Sequence, residues 1–90
     1  MNNVHHIIRR VVARHAGVSA RSIQAWQRLE EDLDLTQLEL SLIALEIEDA
    51  IDVELPAERF TPLETVGDLS AFVARSVGDE RRHHPLGRVA

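Results

Sequence analysis

Few residues in this 90-residue chain are candidates for chemistry. It has no cysteine, which excludes a thiolate nucleophile, a thiolate metal site and a disulfide framework. Histidines occur as His5-His6, His15 and His83-His84. Neighbours on a helix point about 100° apart, so neither pair is a natural chelate, and no HExxH arrangement is present. Carboxylates abound, but nothing in their pattern suggests an acid/base pair held in a cleft. There is no nucleophile–base pattern and no glycine-rich phosphate loop. The stretch that stands out is the acidic and leucine-rich "DLDLTQLELSLIALEIEDAIDVELP", residues 32–56, which includes the hydroxyls of Thr36 and Ser41.

The elements that position this stretch can be read from periodicity. Val4, Ile7, Ile8, Val11 and Val12 recur at helical spacing and predict a first helix. Asn2 or Asn3 can cap its start, and Gly17 can end it in a left-handed conformation. Residues 17–35 show no sustained period. They read as a long loop, with at most a short helical turn, anchored by Val18, Ile23, Trp26, Leu29 and Leu33. Residues 36–51 form a second helix. Thr36 and Glu39 match a capping box, and Leu35 with Leu40 match a hydrophobic staple. "AERF", 57–60, has room for one helical turn, and Phe60, like Trp26, is expected as an anchor. A last helix spans about 65–77, with Val66, Leu69, Phe72, Val73 and Val77 on one face. Either Thr65 with Asp68 or Thr61 with Glu64 can cap it. From Gly78 the sequence is polar and aperiodic. The expected organisation is one helical domain over 1–77 and a flexible tail over 78–90.

Charge is strongly segregated. Residues 30–68 hold 13 acids against the single basic Arg59, whereas residues 1–29 hold five arginines and no acid. Such an acidic middle argues against nucleic acid as a partner and favours a protein with a basic patch. No apolar run approaches the roughly 20 residues that span a bilayer, and "MNNVHHIIRRVV" lacks the pattern of a signal peptide. A cytoplasmic protein with no membrane partner is expected.

Three segments together resemble the acyl carrier protein family, over residues 4 to about 77. "LEEDLDL", 29–35, is similar to the family's leucine–acidic–Asp-Leu-Gly-Leu approach to its site. "LEIEDAIDVELP", 45–56, is similar to the acidic helix end and its hydrophobic–Glu–hydrophobic–Pro exit. "TVGDL", 65–69, matches the start of the last helix. The resemblance implies an all-α fold: a bundle of three main helices plus one short helix, with a long loop between helices 1 and 2. It also implies a carrier rather than an enzyme, working in fatty-acid, lipid or polyketide-type metabolism. In that family the serine of an Asp-Ser-Leu triplet opening helix 2 is joined to 4'-phosphopantetheine. Aligned without a gap, the triplet falls on Thr36, Gln37 and Leu38. A carboxamide nitrogen is a poor nucleophile, so Gln37 cannot form the phosphodiester and no cofactor is expected there. The alternative is a genuine acyl or aminoacyl carrier, with Gln37 a substitution or the site displaced to Ser41 or Thr36. Ser41 lies 15 residues before Pro56, where the family's spacing is 19, the separation of Gln37 from Pro56.

Around the second helix, Leu40, Ile43, Ala44, Ile47 and Ile51 share a face expected in the core. Leu38, Leu42 and Leu45 share another, flanked by Glu39, Glu46 and Asp49, with Gln37, Ser41 and Glu48 on its far side. In carrier proteins the matching helix presents apolar side chains ringed by acids to partner enzymes, and Leu38, Ser41 and Leu45 are the matching positions. The family commonly has glutamate where this chain has Leu42. An apolar patch rimmed by charge marks an interaction surface, here for carrier-recognising enzymes or for self-association. The competing expectation is that Leu42 is simply buried beneath the loop.

Overall fold

The computed structural model describes residues 4–55 and 63–89, with side chains described as far as Gly78. Among these residues it is all-helical: α1 (Val4–Ala16), a 3-10 turn (Ala20–Ser22), α2 (Gln37–Ile51) and α3 (Val66–Val89). The expected short helix at 57–60, with Phe60, and the Thr61 cap lie outside the described residues.

The apolar stripes become a single core. Val4, Ile8, Val11 and Val12 from α1 are buried with Leu40, Ile43 and Ile47 from α2 and Val66, Leu69, Phe72 and Val73 from α3. α1 ends where Gly17 turns left-handed at φ 75°. There the Val18 amide returns 3.1 Å to the Ala13 carbonyl, the six-to-one bond of a Schellman motif. At the start of α3, Thr65 and Asp68 form the expected box. The Asp68 amide donates to Thr65 Oγ1 at 3.0 Å, and the Thr65 amide donates to Asp68 Oδ2 at 3.1 Å.

The long loop is tied down by backbone as well as side chains. Ile23, Leu29, Leu33 and Leu35 are buried. The Leu29 amide donates to the Glu64 carbonyl at 2.8 Å, Val66 to Gln27 at 3.0 Å and Gly67 to Ala25 at 2.8 Å. These bonds stitch the loop to the first turn of α3. A Cβ on Gly67 would stand 3.1 Å from the Ala25 carbonyl oxygen, so a side chain there would press on this seam. Asp34 is left-handed at φ 56°. It occupies the glycine position of the family's pattern, a conformation glycine adopts at least cost. That bend delivers Leu35 to the core and Thr36 to the head of α2.

Three expectations need correction. Val18 and Trp26 are exposed rather than anchored, Trp26 at 68%. The loop's backbone bonds and its four buried aliphatic side chains hold it without them. The last helix does not end at Val77 but continues to Val89. Gly78 lowers helix propensity by about 1 kcal/mol without forbidding a helical backbone.

Candidate functional site

The head of α2 is built by a complete capping box. Thr36 is extended, with φ −86° and ψ 167°. Its Oγ1 accepts from the Glu39 amide at 3.1 Å, while Glu39 Oε1 accepts from the Thr36 amide at 2.9 Å. The Thr36 hydroxyl also lies 3.2 Å from Glu39 Oε1, to which it donates. Its proton and a lone pair are therefore both engaged in the cap. Leu35 before the cap and Leu40 beyond it are buried in the same cluster, as a staple requires.

Gln37 is the first residue of α2, and it is exposed. Its Nε2 donates to Glu30 Oε2, which draws the acidic loop end to the helix start. Ser41 is exposed one turn further on. Leu38, Leu42 and Leu45 are 69%, 41% and 60% exposed, so Leu42 is not buried beneath the loop.

The acids of α2 have separate tasks. Glu39 belongs to the cap. Glu46 turns back to α1, where it pairs with Arg14 and accepts a 2.9 Å hydrogen bond from His15 Nε2. The His15 hydrogen bond, aided by the Arg14 guanidinium and opposed by partial desolvation, lowers the Glu46 pKa from its ordinary value. Glu48 Oε2 accepts from the Leu55 amide at 2.6 Å and fixes the chain leaving the helix, whose last turn closes on left-handed Asp52. Of the three acids expected to rim the leucine face, only Asp49 makes no hydrogen bond or ion pair among the described residues. Glu30, drawn in through Gln37, adds a charge at the helix start. Sequence reasoning missed the Arg14–His15–Glu46 cluster because its members are 31 and 32 positions apart. The only hint was a basic α1 beside an acidic α2.

Among the described residues, α1 has a cleft on either side. One, between α1 and α2, is lined by Ile7, Arg10, Val11, Arg14, Glu46 and Asp49. The other lies between α1, the loop and α3. Among the described residues no cluster of His, Asp or Glu is arranged to hold a metal, and no helix is long and apolar enough to cross a membrane.

The family model of the phosphopantetheine attachment site matches residues 6–73. Among curated proteins the chain is 27% identical to an acyl carrier protein of Arthrobacter sp. (strain FB24), over 73% of this chain and 82% of that protein. It is 35% identical to a probable acyl carrier protein of Caulobacter vibrioides, over 60% and 63%. It is 29% identical to the meromycolate extension acyl carrier protein of Mycobacterium tuberculosis, over 76% and 59%. With its helical order and with this match across most of its length, the chain belongs to the acyl carrier protein family.

Proposed function

We propose that this protein is a non-enzymatic member of that family in fatty-acid, lipid or polyketide-type metabolism, which carries no arm and acts by binding other proteins through α2. Attachment of 4'-phosphopantetheine requires a side-chain hydroxyl at the head of this helix. The residues present do not suit it: Gln37 offers a carboxamide, the Thr36 hydroxyl is engaged in the cap, and Ser41 lies a turn inside the helix. The partners are proteins with a basic patch, such as carrier-recognising enzymes. The role is that of a scaffold, regulator or decoy.

The observation that carries this reading is the exposure of Leu38, Leu42 and Leu45 along one side of α2, starting beside Gln37. Leucines left in solvent on a helix whose opposite face is fully packed favour association. The test is Leu42→Glu, which installs the family's usual residue. Circular dichroism should show a folded variant with a melting temperature near that of wild type. Binding to a carrier-recognising enzyme should weaken, mainly through faster dissociation. A collapse of the fold, or unchanged binding, would contradict the reading.

A further inference from the structure

The cleft on the far side of α1 has a volume of about 450 Å³, and no α2 residue lines it. Ile23, Ala25, Val66 and Ala71 give it apolar walls, and His5 and Arg9, one helical turn apart on α1, stand along one edge. Arg9 is exposed and makes no ion pair or hydrogen bond among the described residues. The cleft is therefore mainly apolar, with Gln24 and Ser70 among its lining, and Arg9 makes its edge cationic. The leucine face of α2 is its counterpart, apolar at the centre with Asp49, Glu39 and Glu30 around it.

We infer that this cleft receives the α2 leucine face of a second copy of the chain, in a head-to-tail contact. The inference rests on α2 being an interaction surface. Packing two leucine faces against each other would instead bring like-charged rims together, an arrangement that opposes association. Head-to-tail contact places acids against Arg9 and leaves the pair with one unused cleft, on the copy that gave its leucine face, and one unused face, on the copy that gave its cleft. Such a heterologous contact does not stop at a dimer unless it closes a ring. The surfaces are small, so self-association belongs in the range of about 10 µM to 1 mM.

Sedimentation equilibrium of the whole chain at low salt tests this. The weight-average mass should rise with concentration past that of a dimer and fall back in about 0.5 M salt, where the screening length is about 4 Å. Arg9→Glu damages the cleft and Leu45→Glu damages the leucine face; both positions are exposed, and thermal melts verify folding. Each variant alone should self-associate at least about tenfold more weakly than wild type. An equimolar mixture should form a heterodimer and nothing larger, through the intact leucine face of Arg9→Glu and the intact cleft of Leu45→Glu. A wild type that stays monomeric, an Arg9→Glu variant that associates like wild type, or a mixture that stays monomeric would each overturn the proposal. Capture of a carrier-recognising enzyme distinguishes this failure from that of the α2 reading, because Arg9→Glu leaves the leucine face intact and should bind the enzyme like wild type.

Discussion

Leu40, Ile43 and Ile47 on one side of α2 are buried, while Leu38, Leu42 and Leu45, a residue or two away in sequence, stand in solvent. The residue types are the same and so is the helix. Only the angle around its axis differs, and that angle is fixed by the capping box and staple that seat the first turn. The inner face meets α1 and α3 and supplies stability. The outer face is largely exposed, with Leu38 and Leu45 at 69% and 60%, so its leucines contribute less to folding than those of the inner face. The capping box itself shows the same separation of structure from chemistry. The capping box sets how the first turn of α2 is presented, and the first residue it presents is Gln37.

The sharpest way to break this contrast is to truncate one residue on each face. Ile47→Ala should cost about 2–5 kcal/mol, a large part of the stability of so small a domain. Leu45→Ala should change stability by no more than about 0.5 kcal/mol. Urea denaturation reads both, and equal costs would show that the two faces are not distinct. A smaller effect is expected at the cap. Thr36→Ala should destabilise by about 0.5–2 kcal/mol, while Gln37→Ser should be nearly neutral, since Gln37 makes only an exposed side-chain hydrogen bond. A costlier Gln37 would assign its amide a structural role.

The smallest effect is expected at the clip between α1 and α2. Glu46→Gln should cost about 0.2–1 kcal/mol in low salt and less in high salt, because the pair is partly exposed. The Glu46 pKa is depressed in the folded state. Its contribution is therefore present above the unfolded carboxylate pKa of about 4.3 and is lost as pH falls through the lower folded value. Melts of wild type and Glu46→Gln should accordingly differ at pH 6 and converge under strongly acidic conditions. A difference that persists there would mean that Glu46 acts by packing rather than by charge.

What the sequence discloses about this fold is mostly local. The stripes of α1, α2 and α3, the Gly17 stop and the boxes at Thr36 and Thr65 depend on neighbours three or four residues apart, and the structure reproduces them. Trp26 and Val18 were misplaced because the loop has no period from which to infer an inward direction. The stitching of residues 25–29 to 64–67 and the pairing of Glu46 with Arg14 and His15 join segments more than 30 residues apart, which no local pattern encodes. At the candidate site, the leucine face was legible but its fate was not. Whether Leu42 lay beneath the loop or outside it depended on the path of the loop. Of the acids expected to rim that face, Glu46 is paired with Arg14 and His15, which lie more than 30 residues away in sequence.

The central claim is that this carrier fold bears no arm, and intact mass measures it most directly. The wild-type chain is incubated with coenzyme A and a broad-specificity phosphopantetheinyl transferase, beside an acyl carrier protein as a positive control. The mass of the control should rise by one phosphopantetheine arm, while that of the wild-type chain should stay unchanged. The same incubation of Gln37→Ser asks whether the rest of α2 is still recognised by the transferase. A gain of one arm by the wild-type chain would contradict the account and direct attention to Ser41, whose exposed hydroxyl makes no hydrogen bond among the described residues.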